Sequence, residues 1–447
     1  MNPALLAALL GLAGPLWGQA PELRIGLAAV ETAAVRNSST LKALDQELAA
    51  SRSRADSRWS GLWPRLYADA SWKYISEVPA MTVAGRSQAL GDHRNYSVGP
   101  ALGWTIWDQG ALRQAWKSAQ TAAQSKDAEL RAAGLQLRLR ARAAYFQAQL
   151  DLEQVRLLAD ALKLAQDQYR DIEARRQAGA SSFIDSLSAH QEELHRRRLF
   201  RQARADLAAA LRDLFALTGE EAQVALSLPF AAGAVLPEGS EPASVAVTLD
   251  PPGQALALLE SAARAGFDPE HPRLRQLAEA ARSGRQAAAG IRAGLWPRIQ
   301  VQAKTSLDYP NGPVLEKFRQ DTVAASAAFP IFEFGRTRRE AGEAEHLASA
   351  LDQRLAQLKR DLNRDWSKAR DQFASLQAQS EIDRISVRET KELARRIYDS
   401  YKAGRSTFLE VQSANLKELE AQVQAARTDA QKLMQLALLD DLARKEP

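Results

Sequence analysis

Four stretches of this chain alternate between apolar and more polar residues, which is the period-two pattern of a β-strand with two different faces. They are 66–74, 96–106, 299–308 and 322–332. The first reads LYADASWKY and places Leu66, Ala70 and Trp72 on one face. Each stretch has about 9 to 11 residues, the length of a tilted strand that crosses a bilayer. Within the second, Pro100 has no N–H for the ladder and predicts a bulge or a break.

Two long segments predict helices of unusual length. Residues 111–177 contain no proline and a single glycine, and residues 336–402 repeat that length. At 1.5 Å per residue, such a helix reaches about 100 Å. Apolar residues within 111–177 recur at spacings of three and four, and Leu150, Leu157 and Leu164 add a second stripe. Two such coiled-coil seams indicate a helix that is flanked on both sides, as in a curved wall.

The chain contains one unit twice. Leu62–Arg65 recurs as Leu295–Arg298, 233 residues later, with the same letters LWPR. Further along, Ala178–Phe183 pairs with Ala403–Phe408 at an offset of 225. The offset therefore falls by eight, from 233 to 225, between Arg65 and Trp107, which identifies that stretch as the part that tolerates insertion.

This duplication predicts the domain organisation. The first repeat is 21–218, with a short helix, strands 66–74 and 96–106, long helix 111–177 and helix 183–217. The second repeat is 254–447, with a short helix, strands 299–308 and 322–332, long helix 336–402 and helix 406–444. Between them, the proline-rich residues 219–253 are predicted to form a connector or a small irregular segment.

The N-terminus has the pattern of an export signal. A short apolar run at 4–17 is followed by Gly18 and Ala20, small residues that suit cleavage after Ala20. We therefore predict a signal peptide at 1–20 and an exported mature chain. No later run of about 18 apolar residues occurs, so no transmembrane helix is expected.

Composition narrows the possible chemistry. The absence of cysteine excludes disulfides, cysteine-ligated metals and a thiol nucleophile. The net charge of +5 comes from 59 basic and 54 acidic residues mixed along the chain, which is a weak reason to expect nucleic acid, and none is expected as a partner. The five histidines have no metal-binding spacing, and no catalytic triad or phosphate-binding loop is present. The sequence therefore does not predict an enzyme. It also predicts no cofactor, no catalytic residue and no metal site.

The strands favour a membrane location. Of the nine tryptophans, five lie in or beside them: Trp63, Trp72, Trp104, Trp107 and Trp296. Aromatic residues at strand ends suit the bilayer interface. Four strands cannot close a barrel, and an open edge in lipid leaves backbone groups unsatisfied, so a membrane protein of this kind must oligomerise. Two alternatives remain open: a soluble β-sandwich, and a soluble periplasmic coiled-coil protein with a structural or adaptor role.

An ordered set of motifs resembles the TolC-like outer-membrane efflux factors. It comprises the duplication, the signatures Trp107–Gly110 and Phe332–Gly335 after a strand, and helix turns at Gly179 and Gly404. Helix starts similar to the family's lie at His271–Leu274 and, in degenerate form, at Ser38–Leu41. The resemblance covers essentially the mature chain.

The resemblance implies a fold and a function. The fold would be mainly α with a membrane β-barrel part: a homotrimer with a 12-stranded barrel in the outer-membrane lipid and an α-helical tunnel across the periplasm. The channel would be the passive exit duct of a tripartite efflux or type I secretion system. It would dock with a periplasmic adaptor (membrane fusion protein) and an inner-membrane transporter that supplies the energy.

The resemblance also implies roles for residues at the helix turns. Asp185 and Glu410, six positions after the turn glycines, match acidic residues of the family's pore constriction, and Tyr401 matches a gate tyrosine. The turns themselves would be the tips that dock the adaptor; their residues are Gly179, Ser181, Gly404 and Ser406.

Some positions depart from the family's pattern. Ser413 and Ser406 stand where better-known members have a second acidic residue and an arginine, and Arg405 is displaced by one place. Rings of carboxylates in a narrow pore attract cations. The alternative is that Asp185 and Glu410 are helix N-terminal residues that the helix dipole favours. Phe183 and Phe408 are expected to be packing residues.

Overall fold

The computed structural model describes residues 23–83, 86–219 and 247–443. The predicted signal peptide and most of the predicted connector lie outside these residues. The helices described are α1 Leu27–Asn37, α2 Ser39–Ser60, α3 Ala111–Gln177, α4 Phe183–Thr218, α5 Pro252–Arg264, α6 Pro272–Ala293, α7 Arg336–Lys402 and α8 Phe408–Ala443. The strands are β1 Leu23–Ile25, β2 Arg65–Tyr74, β3 Ala80–Val83, β4 Arg86–Ala89, β5 Arg94–Trp107, β6 Val247–Leu249, β7 Arg298–Tyr309 and β8 Phe318–Ala328.

Some elements differ from the sequence-based expectation. Strand β8 spans Phe318–Ala328 and not 322–332. It ends early because Pro330 has no N–H to donate and also restricts Phe329. Helix α8 begins at Phe408 and not at 406, because Thr407 caps it. Each half has two helices ahead of its first long strand where one short helix was expected, and α5 begins inside the predicted connector.

The long strands form one antiparallel sheet in the order β2-β5-β7-β8. Directly opposed residues of an antiparallel ladder share a face. One row across the apolar face is Leu66, Leu102, Ala303 and Val323. The neighbouring row across the other face is Tyr67, Ala101, Lys304 and Thr322. The register therefore gathers the apolar residues of all four strands on one surface.

The ladder between β5 and β7 is interrupted near Pro100. Val98 pairs with Leu307 and Ala101 with Lys304, so the register is the same on both sides of the break. Beside the proline, a Cβ at Gly99 would overlap the carbonyl oxygen of Thr305, which indicates a close approach of the two backbones. The register shift itself lies between Thr105 and Trp107, where β5 leads into α3. Pro100 thus breaks the pairing locally and does not bulge the strand.

The sheet belongs to a compact unit that comprises Ser39–Ala133 and Pro269–Asn363. Its helices contact one another in the same order as the strands to which they connect. The ammonium of Lys126 on α3 lies 2.9 Å from Glu47 on α2. The Ser118 hydroxyl of α3 donates to the Ser283 carbonyl of α6, and Arg285 of α6 lies 2.6 Å from Asp352 on α7. The order α2-α3-α6-α7 therefore makes one helical layer that continues the sheet.

The other compact unit comprises the described parts of Met1–Ser38, Gly134–Asp268 and Arg364–Pro447. Its largest apolar cluster includes Phe146, Leu214 and Leu436. The buried Tyr145 hydroxyl donates to the Ile25 carbonyl and accepts from the Asp250 N–H, and so joins the ends of β1 and β6. Among the described residues, none of the helices combines the length and hydropathy that a bilayer crossing requires.

Candidate channel surfaces

The long helices end in turns that need glycine. Gly179 after α3 and Gly404 after α7 have φ of 78° and 74°, a region that side chains disfavour. The Ala180 N–H donates to the Arg175 carbonyl at 2.7 Å, and the Arg405 N–H donates to the Ser400 carbonyl at 2.9 Å. These are bonds of the Schellman type, which stop a helix and reverse the chain. The predicted turns therefore have a local physical cause.

Asp185 and Glu410 lie in the first turns of α4 and α8. The Asp185 N–H donates to Ser182 Oγ at 3.0 Å. Glu410 and Thr407 form a reciprocal capping box, because the Thr407 N–H donates to Glu410 Oε2 at 3.1 Å and the Glu410 N–H donates to Thr407 Oγ1 at 3.4 Å. The contacts of Glu410 are thus those of a helix N-terminal residue. Its side chain is also exposed, so a role in a pore stays a prediction.

Tyr401 connects the two turns. Its hydroxyl lies 3.4 Å from Ser181 Oγ, and its ring centroid lies 5.7 Å from that of Phe408. Phe408 is buried against Ile172, as a packing residue should be. The matching Phe183 is 69% exposed, so the expectation that it packs is wrong. Equivalent positions of the two repeats therefore have different surroundings.

A second contact between the hairpins was not anticipated from the sequence. The Tyr398 hydroxyl of α7 donates to Asp171 Oδ2 of α3 at 3.0 Å, and Arg175 Nε lies 3.2 Å from the same carboxylate. Burial, and then the bond to Asp171, raise the pKa of Tyr398 to about 12. Two features of the sequence could have indicated this contact. Asp171 and Arg175 are four residues apart on one helix, and Tyr398 lies one helical turn before Tyr401.

The first hairpin has its own electrostatic contact across the turn. Glu173 of α3 accepts from Arg176 at 2.6 Å and from the Ser186 hydroxyl of α4 at 2.6 Å. The bonds to Arg176 and then to Ser186 lower the pKa of Glu173 to about 2. Glu173 is therefore ionised at neutral pH and holds the start of α4 against the end of α3.

The strand-to-helix signatures are turns with two consecutive positive φ angles. Gln109 and Gly110 have φ of 54° and 81°, and Phe334 and Gly335 have φ of 50° and 79°. The Asp108 carboxylate accepts from the N–H groups of Gly110 at 3.0 Å and Leu112 at 2.8 Å, which caps α3. In both repeats, an acidic residue followed by a positive-φ pair therefore directly precedes the long helix.

The two faces of the sheet differ in chemistry. On the apolar face, Leu66 and Val323 are exposed to 75% and 80%. On the other face, the Lys304 ammonium donates to Asp69 at 2.8 Å and to Ser97 Oγ at 3.0 Å. In the described part of the chain, β2 and β8 each have a neighbour on one side only. An exposed apolar face suits lipid, and two unpaired edges suit pairing with another copy.

Aromatic residues mark both ends of the sheet. At the end near the helices these are Trp63, Trp104, Trp107 and Trp296. At the far end they are Trp72, Tyr74, Tyr96 and Tyr309, with the rings of Tyr96 and Tyr309 stacked at 5.1 Å. Two aromatic bands on either side of an apolar band are typical of strands that span an outer membrane.

Among the described residues, no three histidine, aspartate or glutamate side chains are grouped so that they could hold a metal ion.

The sequence profile of the outer membrane efflux protein family matches residues 32–220 and 269–443, which is most of the chain. The two matched segments lie in the two repeats and leave out the residues between them. No curated protein matches the chain.

Solved structures share the fold at low identity. A membrane protein from Pseudomonas aeruginosa has a TM-score of 0.74 at 18% identity, covering 94% of this chain and 93% of that one. The VceC outer membrane protein of Vibrio cholerae has a TM-score of 0.73 at 15% identity, with coverage of 93% and 96%. The CmeC outer membrane channel of Campylobacter jejuni has a TM-score of 0.73 at 15% identity, with coverage of 93% and 85%.

The resemblance inferred from the motifs and the mainly helical fold class are confirmed by these comparisons, which favour the channel over a soluble periplasmic protein. The family is one of channels that lie in the outer membrane and extend into the periplasm. This chain belongs to the outer membrane efflux protein family, and it is an outer-membrane exit duct for efflux.

Proposed function

We propose that three copies of this chain close into a homotrimeric channel with a 12-stranded barrel and a helical periplasmic tunnel. The observation that carries this proposal is the four-stranded sheet, which has one apolar face and, among the residues described, no further strand beside β2 or β8. In lipid, an unpaired strand edge leaves N–H and C=O groups without partners, at a cost of several kcal/mol each. Pairing β8 of each copy with β2 of the next removes every edge.

The number three follows from the size of the pore that a duct needs. Two copies would supply eight strands, and an eight-stranded barrel is filled by its own side chains. Three copies supply twelve strands and leave room for a lumen. The polar face that includes Lys304, Asp69 and Ser97 would then line the water-filled interior, and the apolar face would meet lipid.

The duct is passive, and its partners are proposed to be a periplasmic adaptor and an inner-membrane transporter. The helix turns at Gly179–Ser181 and Gly404–Ser406 are the proposed docking tips. Exposed apolar side chains next to the turns support this assignment: Phe183, Ile184 and Leu409 are 69%, 74% and 74% exposed. Apolar groups displayed at an end of a helical hairpin are typical of a surface that binds another protein.

The turns are also the proposed constriction. Asp185 and Glu410 would supply two carboxylates per copy, so that threefold symmetry gives six around the axis. Tyr401 would hold the two turns of each copy together through its contacts with Ser181 and Phe408.

The test is the mass and the conductance of the protein from outer membranes. The full precursor is expressed in a Gram-negative host, extracted in detergent and measured by size exclusion with light scattering, then inserted into planar bilayers. We expect a protein mass of three chains and single-channel steps. A species that is soluble without detergent, or a mass of one or two chains, would contradict the proposal.

A further inference from the structure

A cluster of exposed apolar side chains follows β8. Pro330 fixes the connection to α7, and around it stand four large apolar residues: Phe329, Ile331, Phe332 and Phe334. Ile331 is 90% exposed and Phe334 is 81% exposed. We name these four residues the outgoing patch. Exposed side chains of this size on adjoining positions are costly in water, so the patch must lie against lipid or against another protein surface.

A second aromatic cluster precedes β2 at the opposite edge of the sheet. Trp59 near the end of α2 and Trp63 just after it are both exposed, and their rings meet edge to face at 5.7 Å. We name Trp59 and Trp63 the receiving patch.

Strand direction brings the two patches to one level when copies assemble. Strand β2 leads away from α2, and β8 leads back toward α7. When β8 of one copy pairs antiparallel with β2 of the next, the end of β8 lies beside the start of β2. The outgoing patch begins directly after β8, and the receiving patch lies directly before β2.

We infer that the outgoing patch of each copy seats on the receiving patch of the next copy and sets the register of the strands between them. This inference rests on the proposed ring of three copies. The partner is a second copy of this chain, bound head to tail, and such an interface closes when the rotation between copies closes.

The composition of β8 explains why a separate register device is needed. Its last five residues are alanine or serine: Ala324, Ala325, Ser326, Ala327 and Ala328. A slip by two residues keeps every side chain on its face and moves the strand by about 7 Å, so small side chains specify the register weakly. Bulky aromatic groups that fit only one position supply the missing specificity, because a slip would separate the two patches.

Charges on the flanking helices are complementary in the same arrangement. Arg54 and Arg58 lie in the last turns of α2, and Glu340 and Glu343 lie in the first turns of α7. In the described part of the chain, Arg54, Arg58 and Glu343 are exposed and form no ion pair. Helices α2 and α7 are the outer members of the helical layer, so the same ring brings these opposite charges to one interface. Within one copy, Arg54 and Arg58 also line a cavity with Glu333. Complementary charges of this kind favour one alignment over others.

The natural absence of cysteine makes a direct test possible. A chain with Trp63→Cys and Phe332→Cys is assembled in outer membranes and treated with a short bifunctional thiol reagent. We expect covalent dimers and trimers on denaturing gels, because each copy presents one cysteine to each neighbour. The matched control pairs Trp63→Cys with Phe318→Cys at the opposite end of β8, about 33 Å away along the strand, and should yield monomers.

The outcomes separate the interface from the ring. If light scattering gives three chains but the Trp63–Phe332 pair does not cross-link, the ring stands and the inferred contact is wrong. The contact is equally wrong if Phe332→Cys in the assembled trimer reacts fully with a lipid-soluble maleimide, because its side chain then faces lipid. If no trimer forms even for the unmodified chain, the proposed function itself fails.

A second variant tests the role in register without cysteine. Phe332→Ala with Phe334→Ala should lower the fraction that stays trimeric in cold dodecyl sulfate by at least about tenfold, since two buried aromatic groups per interface are lost. Leu258→Ala removes an exposed apolar side chain of α5, outside both patches and the helix turns, and should leave that fraction unchanged. Equal loss in both variants would overturn the assignment.

Discussion

Glu410 shows how a single carboxylate can cap a helix and still carry its charge to solvent. Its Oε2 accepts from the Thr407 N–H, and the side chain remains exposed. Asp185 occupies the matching position, where the Ser182 hydroxyl caps the helix and the Asp185 carboxylate is not needed as a cap. A capping role therefore accounts for Glu410 more fully than for Asp185, and ion permeation can separate it from a pore role.

The residue-scale prediction concerns ion selectivity. Asp185→Asn with Glu410→Gln removes six charges from a trimer, while the glutamine carbonyl can still accept from the Thr407 N–H. At about 8 Å in water, each charge contributes about 0.5 kcal/mol before screening, so we expect the cation-to-anion permeability ratio to fall roughly tenfold at low salt and less at high salt. Reversal potentials across a salt gradient measure it. Glu420→Gln on α8 is the control, and an unchanged ratio in the double variant would leave the two carboxylates as helix-start residues only.

At the scale of elements, the glycine inside α3 and the glycine that follows α3 have opposite conformational requirements. Gly179 ends the helix at φ 78°, whereas Gly134 lies in the helical interior, and neither would bring a new Cβ within 4 Å of another group. Alanine at Gly179 must therefore adopt a left-handed backbone, at a cost of about 1–2 kcal/mol. Alanine at Gly134 gains about 0.5–1 kcal/mol because the helix no longer orders a glycine.

Hydrogen exchange can check this pair of variants in the assembled protein. Gly179→Ala should speed exchange of the amides near the turn by about 5- to 30-fold, because local opening reports the lost free energy. Gly134→Ala should slow exchange around residue 134. The same response from both variants would show that the turn does not depend on the left-handed glycine.

The same elements show which features of the fold could be predicted from local sequence patterns. Helices α3 and α7 cover the two proline-free segments, because their length depends on propensity and on seams along the chain. The end of β8 was misplaced because the apolar run continues through Phe329–Phe332, where Pro330 stops the ladder. The alternation of apolar and polar residues cannot distinguish a residue of the strand from an exposed apolar residue that follows it and contacts a second copy of the chain. The contact of Tyr398 with Asp171 also escaped prediction, since it joins residues 227 positions apart.

At the scale of the whole molecule, the two repeats keep one plan and differ in the exposure of matching aromatic residues. Phe408 is buried while the matching Phe183 is exposed. In the strand-to-helix signatures, Phe332 is more exposed than the matching Trp107. A trimer of duplicated chains has six similar hairpins around its axis but only three interfaces between copies. The residues at a boundary between copies therefore need not match those at a boundary inside a copy, so sequence symmetry located the repeats but not the interface.

The eight-residue difference between the repeats leads to the last prediction. Strands β3 and β4 pair only with each other among the described residues, and Ala80 lies opposite Ala89. Deleting 81–88 removes eight residues, joins two positions that already face each other, and gives the repeats one constant offset. Because β2 and β5 keep their full ladder, we expect the same trimer mass and a similar yield in outer membranes. Deleting 322–329, also eight residues, removes most of β8 and should abolish the trimer. Loss of the trimer in the first deletion would mean that the β3–β4 hairpin takes part in assembly.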